Sequence, residues 1–323
     1  MLSIRIGGAL VFVGLSALAA EAQDYPNRPI TIIVPFAAGG PSDTLARNLG
    51  STMSATLKQQ VIIENVGGSV TLGIARAARA QPDGYTVLLT HVGIATAPFL
   101  YKHLPYDTVN DFEPIGRVAN VPMALVAKRT LPPNNLREFI DYAKANKDKL
   151  TYGHAGAGSS SHLCGLLFMN AIGTEFTTVP YKGNGPAMND LVGGQIDFMC
   201  DQTSTTTQQI QGGTIKVYGV TSKTRVPSLP ELPTLDEQGI KGFEVVIWYG
   251  MWAPRGTPTA ALDKLNAALR AAVQDPTFDA RMADLGAVPA PLSNAAPEPL
   301  RAHLKSEIET WGPVIKKSGI QPQ

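Results

Sequence analysis

Apolar runs and glycine-rich breaks alternate along this chain at the spacing of strands followed by helices. Ile30-Thr-Ile-Ile-Val34 is a β-branched run of the kind buried in a sheet, and Gly39-Gly40 separates it from Leu45, Ala46 and Leu49 at helical spacing. Ser42 or Asp43 can cap that helix, which is predicted to run to about Leu57. A second strand is expected over Val61–Asn65, a helix over 72–80 and, beyond the Pro82-Asp-Gly84 turn, a third strand over 85–90. The βαβαβ alternation predicts parallel strands with right-handed crossovers, a doubly wound half.

A second set follows. Strands are predicted over 121–127, 150–153, 177–181 and 196–201, with helices over 135–145, 162–171 and 185–192. Extended runs over 216–221 and 243–252 precede two helical segments, Thr259–Val273 and 297–316. Strand, glycine-serine loop and helix therefore occur once in each half, at Phe36–Ser42 and at 156–160. Open α/β sheets bind ligands beyond the carboxyl ends of their strands, so the two loops are expected to face each other across a cleft. Backbone N–H groups at a helix start attract anions, which makes a small carboxylate the expected ligand.

Composition narrows the class. Of 323 residues, 44% are hydrophobic and 16% charged, with a net charge of +1, which leaves no electrostatic footprint for nucleic acid or an anionic membrane. The length suits two domains. At the N-terminus, Arg5, the apolar run 6–20 and Ala20-Glu21-Ala22 have the form of a signal peptide over 1–22, cleaved near Ala22, so a periplasmic protein is expected. No cysteine sits at that cleavage site, so no membrane anchor is expected. Cys164 and Cys200 fall in apolar runs and read as buried free thiols, with pairing in an oxidising compartment as the alternative. The five histidines lack metal-ligand spacing, and neither a metal nor another cofactor is expected.

Several motifs carry a competing reading. Gly153-x-x-Gly156-x-Gly158 is glycine-dense, yet it fits neither a Walker A loop nor G-x-G-x-x-G. Ser159, Ser160 and Ser161 offer hydroxyls at a helix start, suited to a carboxylate or to plain N-capping. Ser159 and His162 suggest a hydrolase only weakly, because Gly158-Ser-Ser-Ser-His162 lacks the closing glycine of a nucleophile elbow. His91 and Asp201 end strands, where each faces the cleft edge or satisfies a structural hydrogen bond. Lys182 reads as a surface charge. Trp248, Tyr249 and Trp252 suit core packing, although one ring over the cleft, Trp248, would favour an aromatic acid.

These residues together resemble the receptors of tripartite tricarboxylate transporters, also called Bug proteins. The likeness runs through Tyr25-Pro26, Val34-Pro35-Phe36-Ala37-Ala38-Gly39-Gly40-Pro41-Ser42-Asp43, Pro82-Asp83-Gly84-Tyr85, Pro180-Tyr181-Lys182-Gly183, Gly193-Gly194-Gln195-x-Asp197 and Ala253-Pro254-x-Gly256-Thr257-Pro258. The resemblance implies an α/β fold of two doubly wound domains with a central cleft, the type II periplasmic-binding-protein or Venus-flytrap fold. It places domain 1 over 24–121 and 244–323 and domain 2 over 122–243. It also implies a receptor, not an enzyme, that holds a ligand carboxylate between the two loops through backbone N–H groups and bridging water. The expected partners are a small organic acid, a dicarboxylate or aromatic acid among the candidates, and the membrane permease subunits of such a transporter. A monomer is expected. The expected ligand contacts are Phe36, Ala38, Gly39, Gly40, Ser42, His91, Gly156, Gly158, Ser159, Ser160, Asp201 and Trp248. Related receptors in two-component signalling supply the alternative role. His154 and Cys164 depart from the residues usual at their positions.

Overall fold

Ile30, Ile32, Ile33 and Val34 are all buried, as a parallel strand covered by helices on both faces requires. They form β1 (Ile30–Val34) in a computed structural model that describes residues 25–317 and residue 322. The signal peptide expected over 1–22 lies outside the described residues. Helix α1 (Pro41–Leu57) follows, then β2 (Val61–Asn65), α2 (Val70–Ala78), β3 (Thr86–His91) and α3 (Gly93–Leu100). Strand β4 (Phe112–Lys128) leads to α4 (Leu136–Ala145), β5 (Thr151–His154), α5 (Ser160–Ile172), β6 (Thr177–Pro180), α6 (Asn184–Val192), β7 (Phe198–Gln202), α7 (Thr203–Gln211) and β8 (Ile215–Val220). The chain ends through β9 (Val246–Pro254), α8 (Thr259–Val273), α9 (Pro276–Asp284), β10 (Val288–Pro289) and α10 (Pro297–Lys317).

The strands form two lobes of the same order. In the first, β2-β1-β3 are parallel and β9 joins antiparallel between β3 and β4. In the second, β6-β5-β7 are parallel and β4 joins antiparallel between β7 and β8. Strand β4 serves both: Phe112 to Pro122 pair with β9, and Met123 to Lys128 pair with β7 and β8. The architecture is the expected two-lobed α/β fold, with parallel trios as expected and an antiparallel fourth strand in each lobe.

Three helices go beyond the sequence expectations, each for a physical reason. Helix α3 (Gly-Ile-Ala-Thr-Ala-Pro-Phe-Leu) is buried at Gly93, Ile94, Ala95, Thr96, Ala97 and Leu100, so it has no polar face to create a 3.6-residue rhythm. Helix α7 begins Thr-Ser-Thr-Thr-Thr, a run of poor helix formers that helix propensity argues against. Helix α9 starts at Asp275-Pro276, where the Asp275 carboxylate accepts from Thr277 N (2.7 Å) and Phe278 N (3.1 Å).

The cysteines correct the free-thiol reading. Cys164 of α5 and Cys200 of β7 form a disulfide, their Cα atoms 6.1 Å apart. Both lie in apolar surroundings as expected, but packing of α5 on the sheet brings them together. The bridge ties the helix that starts at Ser160 to the strand that ends at Gln202. It closes a loop with a sequence separation of 36 residues, and replacing both cysteines by alanine is expected to cost about 4 kcal/mol through the freed unfolded chain. Urea denaturation of wild type and the Cys164→Ala/Cys200→Ala variant measures it.

Candidate functional site

Each parallel strand of the two lobes delivers its chain to a helix at the carboxyl edge, and the edges face each other. Gly40 (N-cap of α1), Val92 (N-cap of α3), Ser159 (N-cap of α5), Gly183 (N-cap of α6) and Gln202 (N-cap of α7) mark five helix starts converging on one region. The first-turn N–H groups of a helix have no intrahelical acceptor, and the amino end carries a partial positive charge. A tight cavity of about 10 Å³, room for about one water, lies among them, lined by Phe36, Gly40, Pro41, Ser42, His91, Ala155, Ser159, Ser160, Asn184 and Gln202. Among the described residues no lysine, arginine or acid lines it. An anion placed there would meet helix ends, hydroxyls and amides.

The backbone at this junction requires glycine. Gly39 at φ +80° turns the first loop, and Gly158 at φ +78° turns the second. The lobes meet closely around these loops. A Cβ on Gly185 would lie 2.9 Å from the Ala38 carbonyl oxygen, and one on Gly93 would lie 2.9 Å from the Gly158 carbonyl oxygen. Ala37 N–H donates to Lys182 O (3.4 Å) and Tyr101 Oη to Ala157 O (2.8 Å), both from the first lobe to the second.

A buried polar relay also crosses the lobes. Ser42 Oγ and Tyr249 Oη are 3.1 Å apart, Tyr249 Oη donates to Gln202 Oε1 (3.0 Å), and Gln202 Nε2 donates to Ser160 Oγ (3.0 Å). Beside it, Ser161 Oγ donates to Asn184 Oδ1 (2.8 Å), and Asn184 Nδ2 donates to Asp201 Oδ1. Asp201 also accepts from Gln202 N (2.7 Å) and Thr205 Oγ1 (2.8 Å). Burial pushes the Asp201 carboxyl up to about 7, against those three donors. His91 stacks on Phe36 at 4.8 Å and meets the Tyr249 ring edge-on at 5.5 Å. Burial holds its imidazole down to about 3, and its Nδ1 accepts the Gly93 N–H at 3.0 Å, so neutral His91 carries its proton on Nε2.

Of the residues expected from sequence, Phe36, Gly40, Ser42, His91, Ser159 and Ser160 line the cavity. Ala38 and Gly39 line an adjoining crevice with Asn184, and Gly156 lines another with Ala155. Gly158 turns the second loop but lines neither the cavity nor the two crevices. Asp201 lies behind the cavity as a hydrogen-bonded support for Asn184 and Gln202. Trp248 is a correction: its indole donates to Glu307 of α10 (2.8 Å) and packs on His303, away from the cavity, while Tyr249 on the opposite face of β9 enters the relay. Sequence reasoning missed Asn184, Gln202 and Tyr249 as site residues. Asn184 and Gln202 sit at strand-to-helix junctions, a position that an amide also takes for ordinary capping.

Two predictions follow from this geometry. Gly185→Ala should hold the lobes apart, since its Cβ would face backbone rather than a flexible side chain; small-angle scattering should report a larger radius of gyration than wild type. Asp201 keeps its proton in the folded state to about pH 7, whereas an ordinary aspartate loses it near pH 4. Its contribution to stability is thus full below about pH 4 and lost as pH rises through about 7. Urea midpoints across that range should fall for wild type relative to Asp201→Asn.

Comparison with known proteins adds an independent line. Residues 45–320 match the model of the tripartite tricarboxylate transporter family receptor. The periplasmic binding protein BugD is 52% identical and superposes with a TM-score of 0.91, over 93% of this chain and 100% of that one. MatC from Rhodopseudomonas palustris, solved with bound malate, is 39% identical with a TM-score of 0.86, covering 90% of this chain and 100% of that one. Another R. palustris protein, solved with adipate, is 33% identical with a TM-score of 0.88, over 93% of this chain and 100% of that one.

Proposed function

The chain belongs to the tripartite tricarboxylate transporter receptor family, and from that premise we propose that it is a periplasmic receptor that captures a small organic carboxylate and delivers it to membrane permease subunits. The observation that carries this reading is the convergence of five helix amino ends on one cavity that, among the described residues, no lysine or arginine lines. A carboxylate there accepts from first-turn N–H groups and from the neutral donors of His91, Ser160 and Asn184. The malate-bound and adipate-bound relatives support that ligand class.

Capture proceeds by closure. Phe36 to Ser42 belong to one lobe and Gly156 to Ser160 to the other, so a ligand touching both favours the closed arrangement by its differential affinity. The domains we assign, 24–121 with 244–323 and 122–243, are the bodies that move. Among the described residues no helix is long and apolar enough to cross a membrane, which is compatible with a receptor that meets its permease at a membrane surface. The hydrolase alternative lacks a nucleophile and base in contact. Ser159 Oγ accepts the backbone N–H of His162 (3.1 Å), and the His162 ring accepts the Gly158 N–H (3.3 Å).

Calorimetry with a panel of mono-, di- and tricarboxylates tests the reading. Ser160→Ala should weaken the best ligand by roughly tenfold, the worth of one hydrogen bond to a charged group, with an unchanged far-ultraviolet spectrum. Unaltered affinity, or chemical conversion of the acid during incubation, counts against the proposal.

A further inference from the structure

Two of the five helix starts belong to elements joined by a covalent bond. Ser159 and Ser160 open α5, and Cys164 lies one turn further along that helix. Gln202 opens α7, and Cys200 lies two residues before it on β7. The Cys164–Cys200 bond and the hydrogen bond from Gln202 Nε2 to Ser160 Oγ (3.0 Å) therefore close a ring. One side of the ring is the first turn of α5, and the other is the end of β7. Both cysteines are buried, at 1% and 0% exposure.

The contacts beside the bond show how closely α5 is fitted to the sheet. A Cβ on Gly165 would lie 2.3 Å from Tyr152 Cε1, so the helix rests directly on that ring. Tyr152 Oη donates to Ser161 O (2.5 Å) and accepts the Cys200 N–H (3.2 Å). Ser161 Oγ also donates to Asn184, which donates to Asp201, the neighbour of Cys200 in the chain. Hydrogen bonds tolerate a spread of distances and angles, whereas a covalent bridge does not. Without the bridge, two thiols must part to van der Waals contact, and a close-packed interior passes that displacement on to α5. The donors at its start act only over hydrogen-bond distance, so a small shift there is felt by anything they bind.

We propose that the Cys164–Cys200 bridge is a positioning element for carboxylate binding, which sets the first turn of α5 against the start of α7 before a ligand arrives. The inference rests on the carboxylate-receptor reading and adds a role for the bridge in affinity, separate from its role in stability. Neither cysteine meets the ligand. The bridge acts through Ser160 and the first-turn N–H groups of α5, by preorganisation. Linkage makes the effect reciprocal: an acid that binds the bridged protein more tightly favours the bridge by the same factor.

The experiment is calorimetry with succinate, malate and adipate on the mature protein in three forms: bridged wild type, wild type refolded under dithiothreitol, and Cys164→Ala/Cys200→Ala. The dithiol gives two electrons and two protons to the bridge, leaving two protein thiols and its own cyclic disulfide. Far-ultraviolet spectra establish that each form is folded; if the alanine pair is not, Cys164→Val/Cys200→Ala, which keeps the space filled, replaces it. Both bridge-free forms are expected to bind the best acid roughly three- to tenfold more weakly, the worth of one neutral hydrogen bond. Leu269→Ala, a buried position of α8 whose truncation destabilises the fold to a similar degree, should stay within about twofold of wild type. In dithiothreitol buffers, saturating acid should raise the reduced-to-oxidised reagent ratio that opens half of the bridges by the same factor as the affinity change. Equal affinity with and without the bridge, or an equal fall in Leu269→Ala, overturns the positioning role and leaves the receptor reading intact. A wild type that binds none of these acids overturns both.

Discussion

A helix amino end shut away from water leaves N–H groups without acceptors, and each such group costs free energy until something fills the place. Here five of these ends open onto one cavity, and the rest of the molecule is arranged around that fact. The parallel trios fix where the helices begin, because each starts at the carboxyl end of its strand. Glycines at the junction let the two loops approach to backbone contact. Hydroxyls and amides line the space in place of lysine or arginine. A chain with a net charge of +1 thus presents donors for an anion without a basic patch.

The side chains near the cavity fall into two roles. Ser42, Ser160, Asn184 and Gln202 face it, and Tyr249, Ser161 and Asp201 hold them in place. The supporting set is buried and mutually satisfied, which limits the orientations the facing groups can adopt. His91 contributes as a neutral ring pinned between Phe36 and the Gly93 N–H. Precision at such a site comes from polar groups that never meet the ligand.

Much of the fold was legible because buried parallel strands are continuous apolar runs and the glycine loops punctuate them. Ile30–Val34, Val61–Asn65 and the helix to Leu57 emerge as read. Helices α3 and α7 were hidden because one has no polar face and the other is made of threonines whose shape favours strands. In β9 both faces are buried, so alternation could not tell whether Trp248 or Tyr249 turns toward the cleft; pairing with β3 and β4 decides that, and register is a tertiary property. The disulfide was similarly undetermined, since an apolar environment suits a thiol and a bridge alike. Of the six expected residues at the cavity, five were legible because they belong to loops whose glycines mark them, and His91 because it ends a strand. Asn184 and Gln202 were not, because an amide at a helix start has an ordinary capping use as well.

Strand β4 supplies a central strand to each lobe within one unbroken run of 17 residues, changing partners at Pro122 and Met123. Neither sheet is complete without that run. The lobes are for this reason not interchangeable building blocks. A genetic exchange of the second lobe alone would have to cut through the middle of two sheets, or else carry a piece of the first lobe with it. Descendants of such a chain can vary in the loops away from the cavity, while the pairing between lobes passes on as a single inherited unit.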